Sequence, residues 1–306
     1  MLARLYIVNK INQMGFKQKI KNIPWLYNSL LFFLNKTNYF NRRFNLAFPK
    51  YKVSSYWRSR INKVLQSADN AKIPRVTDAG KIFRGYQLMH NGIRIALGSY
   101  YDYGNTHLLV ENKGVHEPQE EYAFQQILPF IRQGGTMMEL GSYWAFYSLW
   151  FSSAVRNARC IMVEPDPHKM NFGKLNFRLN ALNGEFRLGF IDGYTDEKPA
   201  IPVYSVDHLM KEFDVKFLDV LHSDIQGYEL KMLQGAKEAL SEKKVGYIFI
   251  STHSNELHRQ CIDELRKHDY AIVCDANLDE SYASDGVIVA KPGGLSGPDF
   301  IVISKA

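Results

Sequence analysis

Residues 136–148 read TMMELGSYWAFYS, and the fold is decided there. An apolar run with an acid near its end, Met137-Met138-Glu139-Leu140, turns through Gly141-Ser142 and continues as the apolar, aromatic segment 143–154. The pattern predicts strand, glycine turn and helix, which together form a pocket for a nucleotide-like ligand at the C-terminal edge of a parallel sheet. The next apolar run, 159–164, ends in Glu164-Pro165-Asp166 and brings a second carboxylate to the same edge, 25 residues after Glu139. A carboxylate in that position can accept both hydroxyls of a ribose.

Working outward, the chain alternates apolar strands with amphipathic helices. Strands are expected at 136–141, 159–164, 186–191, 217–223, 245–252, 270–274 and 299–304, with helices at 143–154, 167–181, 205–213, 228–241 and 256–268. This alternation implies an α/β, doubly wound sheet, mostly parallel, with helices on both faces. Residues 275–298 carry no convincing helix, so the last two strands are expected to form an antiparallel C-terminal edge hairpin. Such a hairpin separates methyltransferases from plain dinucleotide dehydrogenases, and the glycine turn also lacks G-x-G-x-x-G spacing. Ahead of this domain, at 119–306, a small β-rich lead-in section is expected at 69–118, with Asn91-Gly92 as a hairpin signal. A helix is expected from 119 to 131.

The charge is asymmetric. Residues 1–68 hold 13 Lys and Arg and no acid; the chain's 38 bases less those 13 leave 25 against 31 acids, a net of −6. A basic, helical N-terminal arm, with helical spacing at 20–34 and 56–65, thus precedes an acidic body. Such an arm suits peripheral contact with an anionic membrane, packing on its own domain or on a twin subunit in an oligomer, or phosphates of nucleic acid. Nucleic acid is disfavoured as the methyl acceptor. Base amino-methylation uses an Asn/Asp-Pro-Pro-aromatic segment where this chain reads Asp224-Ile225-Gln226-Gly227. The three cysteines, Cys160, Cys261 and Cys274, show neither metal-ligand spacing nor a disulfide framework, which suits a reducing, cytoplasmic setting. The longest apolar run, 25–34, falls short of the roughly 18 residues a membrane span needs. The N-terminus lacks a clear signal-peptide pattern.

Three constellations carry candidate chemistry. Glu139, Glu164 and Asp192 fall at the ends of three successive expected strands, so they are expected to converge on one cleft. S-adenosylmethionine offers an ammonium and a sulfonium, a ribose diol and an adenine amino group, and carboxylates so placed match them; Asp192 would take the adenine amino group. The bland reading is that acids cap strand ends and helix starts. Next, Leu221-His222-Ser223-Asp224 closes the fourth strand where it meets the cleft. Methyl transfer to a hydroxyl is an in-line displacement in which the acceptor is held close and loses its proton, work an Asp or His at this edge can do. The alternative is a packed His222 and an Asp224 that caps a helix. Last, His253 in Ser251-Thr252-His253-Ser254 is expected to face the same cleft, with His258 on the surface. His253 can serve as a base near neutral pH, and with Asp224 it could ligate a divalent cation; no metal site is assigned. The polar loop 280–286 is a candidate acceptor-binding segment by position.

These residues resemble the FkbM family of S-adenosylmethionine-dependent methyltransferases. Glu139-Leu140-Gly141-Ser142-Tyr143-Trp144-Ala145-Phe146-Tyr147-Ser148 is similar to the family's acidic-x-Gly-Ala-x-x-Gly-x-x-Ser motif. Val163-Glu164-Pro165-Asp166-Pro167, with Asn176 and Asn180, resembles its second strand and helix. Ser223-Asp224-Ile225-Gln226-Gly227-Tyr228-Glu229, continuing to Leu233-Gln234-Gly235-Ala236, resembles its Asp-x-Glu-Gly-x-Glu signature. The resemblance covers roughly 115–255. It implies a class I methyltransferase fold and transfer to oxygen, commonly on a sugar of a glycan or natural product. Carried over by position, Glu139, Gly141, Ser142 and Glu164 would contact S-adenosylmethionine and Asp224 would sit near its methyl group; the reading of the residues themselves adds Tyr143, Pro165 and Asp192 to the cofactor contacts and gives Asp224 and His253 the work of orienting the acceptor and removing its proton. Ala145 stands where the family has Gly, Tyr143-Trp144 replace smaller residues, and Gln226 replaces Glu. These departures keep a second reading open: a methyltransferase-fold scaffold with weakened catalysis, docked at a membrane surface by its basic arm.

Overall fold

The computed structural model describes residues 48–100 and 102–306. The helix expected at 20–34 lies outside the described residues. Helix α1, Ser55–Leu65, opens on Ser54, whose side chain accepts from the Trp57 N–H. It buries Trp57, Ile61 and Val64, one face at helical spacing. Helix α2, Tyr103–Glu111, is capped by Asp102, which accepts from the Gly104 N–H and also from Nε1 of Trp57. One carboxylate therefore ties the two helices together. The run 107–110, read from the sequence as part of a β-rich section, lies inside α2. Its four residues are too few to tell a strand from a helix segment by periodicity.

Between α1 and α2 lies a small antiparallel sheet of β1, Ile82–Phe83, β2, Tyr86–Leu88, and β3, Arg94–Ala96, with the expected hairpin around Asn91-Gly92. After helix α3, Pro118–Ile127, the main sheet begins. Its strands are β4, Thr136–Leu140; β5, Arg159–Glu164; β6, Glu185–Leu188; β9, Leu218–Ser223; β10, Val245–Thr252; β11, Tyr270–Ala276; and β12, Gly286–Pro292. The order is β11-β12-β10-β9-β4-β5-β6. All neighbours from β10 to β6 are parallel, and β12 is antiparallel to both β10 and β11. This is the class I methyltransferase order, and its switch point lies between β4 and β9, where the chain changes the direction in which it adds strands.

Two strips, β7, Phe190–Ile191, and β8, Val203–Tyr204, pair outside the main sheet. The strand expected at 186–191 therefore breaks at Gly189, and Asp192 follows β7 rather than β6. The sheet carries helices α4, Phe146–Ala154; α5, Pro167–Leu179; α6, Val206–Glu212; α7, Glu229–Gln234; α8, Lys237–Ser241; and α9, Asn255–Lys267. The single helix expected at 228–241 is thus two, divided at Gly235-Ala236. Strand alternation sends Met137, Val220 and Phe249 to one apolar layer and Met138, Leu140, Leu221 and Ile250 to the other.

The edge hairpin is β11 with β12, not 270–274 with 299–304. Residues 299–304 do alternate, with Ile301 and Ile303 buried and Phe300 and Val302 exposed. They meet β11 through a hydrogen bond from the Ile301 N–H to the Val273 carbonyl. The rest is fixed by side chains: buried Asp69 accepts from the Ser304 N–H at 2.7 Å and from its Oγ at 2.8 Å, and Gln119 Nε2 donates to the Ser304 carbonyl. An alternating pattern reports an extended chain with one buried face. It does not report a ladder.

Candidate active site

The glycine turn joins β4 to α4 at the switch point. Gly141 has φ of 73°, and a Cβ there would run into the Asp224 carbonyl oxygen, so the turn admits glycine alone. Asp224 in turn donates its N–H to the Leu140 carbonyl at 3.0 Å. The two strand ends on either side of the switch are therefore stitched together at backbone level. Tyr143 and Ala145 also have positive φ, which delays the helix to Phe146. Asn176 supports this turn from α5: its Nδ2 donates to the Trp144 carbonyl, while its Oδ1 accepts from the Ala96 N–H of β3.

Beside the turn is a cavity of about 530 Å³, lined by Gly141, Tyr143, Glu164, Pro165, Asp192 and Asp224 among others. Glu164 is buried, with Oε2 accepting from the Tyr143 N–H at 3.0 Å and Oε1 from the Asp166 N–H at 2.9 Å. Each oxygen keeps a lone pair for a further donor. Burial raises its pKa against those two hydrogen bonds.

A smaller hollow, of about 40 Å³, adjoins the cavity across Gly141, Tyr143 and Asp224, which line both. Glu139 and Ser142 belong to this hollow, not to the larger cavity. The three acids expected in one cleft are thus divided: Glu164 and Asp192 share the cavity, and Glu139 lies next door, accepting from the Ser148 N–H at 3.0 Å. The cause is strand alternation, which turns residue 139 toward the layer of α3 and α4.

His253 stands at the end of β10 among carboxylates. Its Nδ1 is 2.9 Å from Oε1 of Glu229, and its Nε2 is 3.3 Å from Asp224 Oδ1 and 3.5 Å from Asp285 Oδ1. Burial opposes charge on the ring, but the three carboxylates outweigh it and push its pKa up to about 10. Asp285, on the loop before β12, is pushed up to about 7 by burial and by the negative charges of Asp224 and Glu117. Gln226 Nε2 donates to Asp224 Oδ1 at 2.8 Å, a bond that the family's glutamate could not make when ionised. Among the described residues no group of three or more His, Cys, Asp or Glu is placed to hold a metal ion.

Sequence reading missed a buried network under this edge. His222 Nε2 is 2.6 Å from Glu120 Oε1, Ser251 Oγ donates to Glu120 Oε2, and the Tyr147 ring stacks on His222. His116 contacts Glu121 and Glu117, and His90 contacts Glu121. The signal was present as the acid-rich start of α3, Glu117-Pro118-Gln119-Glu120-Glu121. Acids in a first helical turn usually read as dipole complements, so nothing local distinguished them. Glu229 was likewise overlooked as a partner of His253. His258, expected on the surface, is buried, with Nδ1 2.8 Å from Thr252 Oγ1, because the first turn of α9 folds back over the end of β10.

Part of the chain is similar to a known methyltransferase family. Residues 185–272 match the methyltransferase FkbM domain. The FkbM match takes in Asp192, Asp224, Glu229 and His253, and leaves the glycine turn and Glu164 upstream of it. No curated protein matches the chain. Among solved structures, precorrin-6y C5,15-methyltransferase from Geobacter metallireducens GS-15 is 15% identical, with 57% of this chain and 89% of that one covered and a TM-score of 0.41. TrmK of M. capricolum, in complex with S-adenosylhomocysteine, is 12% identical over 57% of this chain and 69% of that one, with a TM-score of 0.40. Aeropyrum pernix fibrillarin with natively bound S-adenosylmethionine is 17% identical over 53% and 68%, with a TM-score of 0.39.

Proposed function

We propose that this chain is an S-adenosylmethionine-dependent O-methyltransferase acting on a hydroxyl, that of a sugar in a glycan or natural product. One observation carries the reading: Asp224 lines the cavity that Glu164 and Asp192 also line, and His253, 3.3 Å from Asp224, links it to Asp285 at the same sheet edge. The cavity fits an adenosyl group. The free lone pairs of Glu164 suit a ribose diol, and Asp192 suits an adenine amino group.

When bound, S-adenosylmethionine supplies a methyl group on a sulfonium whose C–S electron pair leaves with sulfur. The chain's part is to hold the acceptor oxygen in line and take its proton. His253, kept as an imidazolium by its carboxylates, is not the group that takes it. It fixes Asp224 and Asp285 instead, and Asp285, tuned near neutrality, accepts the proton as the new O–C bond forms. Asp224, steadied by Gln226, orients the acceptor hydroxyl. Gln226 therefore supports an active site rather than a weakened one. Ala145 supports the same view: it is fully buried and lines neither hollow, so its methyl leaves the cofactor space unaltered. The sugar assignment rests on the family resemblance.

Two measurements test the reading. Calorimetry with S-adenosylhomocysteine should give a one-site isotherm, and labelled methyl from S-adenosylmethionine should enter a glycan fraction in an alkali-stable ether. A folded protein that gives no heat, or label that enters RNA or protein instead, overturns it.

A further inference from the structure

The small hollow has a chemistry of its own. Arg60 from α1, Asn105 from α2 and Ser142 from the glycine turn all line it. Arg60 Nε, Asn105 Nδ2 and Ser142 Oγ are buried with no hydrogen-bond partner among the described residues. Asn105 and Ser142 are each only 2% exposed. A buried donor left unpaired costs about 1–3 kcal/mol. Three at one hollow point to a ligand that completes them. The same hollow presents the carboxylates of Glu117, Glu139 and Asp224. Arg60 is held over the Trp57 ring, its guanidinium carbon 5.2 Å from the ring centre, and Trp57 is pinned by Asp102.

Donors for an anion and acceptors for a cation thus occur together around one hollow of about 40 Å³. Gly141, Tyr143 and Asp224 join this hollow to the adenosyl-sized cavity, so one ligand can occupy both. Resting on the methyltransferase reading above, we propose that Arg60 and Asn105 grip the α-carboxylate of S-adenosylmethionine while Glu117 and Glu139 face its ammonium. The cofactor site is then completed by helices that precede the sheet and lie outside the FkbM match. Arg60 and Asn105 are binding residues in this scheme and take no part in proton transfer.

The test uses the full chain and two probes that differ by the amino-acid end: S-adenosylhomocysteine and 5′-deoxy-5′-methylthioadenosine. By calorimetry the wild type should bind the first at least about tenfold more tightly. Arg60→Gln should weaken S-adenosylhomocysteine by about 10- to 100-fold and leave methylthioadenosine within about twofold. Asn105→Ala should act in the same direction. Thermal melts confirm that each variant is folded, and the half-exposed Arg60 keeps the test open should Asn105→Ala unfold. Equal loss on both probes, no loss on either, or a wild type that binds both equally overturns the inference while the methyltransferase reading stands. A wild type that binds neither overturns that reading as well.

Discussion

Nε2 of His253 lies 3.3 Å from Oδ1 of Asp224, while Nδ1 of the same ring lies 2.9 Å from Oε1 of Glu229. Both nitrogens thus face carboxylates, and the ring is held as an imidazolium although burial opposes it. The pH profile of methyl transfer follows. Asp285, pushed up to about 7, must lose its proton before it can accept another, so the rate should climb through pH 7. His253, pushed up to about 10, must keep its proton to hold the two aspartates, so the rate should fall again as pH nears 10. Asp285→Asn should remove the acid limb and lower kcat by about 10²- to 10⁴-fold. An unchanged acid limb in that variant would return proton removal to another group.

Glu164 offers a test of the adenosyl cavity. Each of its oxygens already accepts one backbone N–H. Glu164→Gln turns one acceptor into a donor that faces the N–H of Tyr143 or Asp166, and it weakens the pair of bonds available to a ribose. Affinity for S-adenosylhomocysteine should drop by about 10- to 100-fold, at roughly 1.4 kcal/mol per tenfold. Calorimetry reads this directly, and affinity within twofold of wild type would place the ribose elsewhere.

The buried His116–Glu121 pair makes stability depend on pH in a stated direction. Burial opposes charge on His116, but Glu117 and Glu121 push its pKa up to about 10 from an ordinary 6.5. Its protonated form therefore contributes stability that is complete below about pH 6.5 and is lost as pH rises toward 10. Glu121 moves the other way: burial would raise it, but His116 and His90 hold it well below its ordinary 4.5, so its contribution is lost as pH falls below that range. His116→Gln should lower Tm most between pH 5 and 6.5, and the gap from wild type should close toward pH 10. A gap that is flat across that range would show that the ring acts by packing alone.

The parallel body of the sheet was legible because β4, β5, β9 and β10 are buried, mostly apolar runs, each with a polar residue at or next to its end. That Asp224 and His253 lie near each other was legible because they follow adjacent parallel strands, β9 and β10, at the same sheet edge. What the sequence hid was side-chain direction at those ends. Glu139 and Leu140 are neighbours in sequence and face opposite layers, and the choice between them is settled by α3, a distant segment. The 90–121 residues were harder still. His90, His116, Glu117, Glu120 and Glu121 read as ordinary loop and helix-start residues until His222 and Tyr147 pack on them from other elements.

The C-terminal segment shows how side chains can replace a ladder. Asp69 is fully buried and accepts from Ser304 twice and from Lys72 Nζ at 2.8 Å. Asp69→Ala leaves the Ser304 N–H and hydroxyl without that acceptor, a loss of about 1–3 kcal/mol for each buried group left unpaired. Tm should fall, and protease cleavage near residues 299–306 should appear before the rest of the chain is cut. Simultaneous loss of the whole fold would show that the segment is part of the main cooperative unit.

Ala145 closes the argument about the glycine turn. It sits at φ 59° and ψ 42°, the left-handed region, where an L-residue other than glycine costs roughly 1–2 kcal/mol. Its side chain is fully buried but lines neither the cavity nor the hollow. Ala145→Gly removes that strain, and it gives back part of the gain through the greater freedom of glycine in the unfolded chain and the loss of one packed methyl. The net should be a stabilisation of up to about 1 kcal/mol, or roughly 2–4 °C in Tm for a chain of this size. Affinity for S-adenosylhomocysteine should stay within twofold of wild type, because the methyl never reaches the ligand space. If the variant instead binds more tightly while Tm is unmoved, the alanine crowds the cofactor after all, and the turn must shift when the ligand enters.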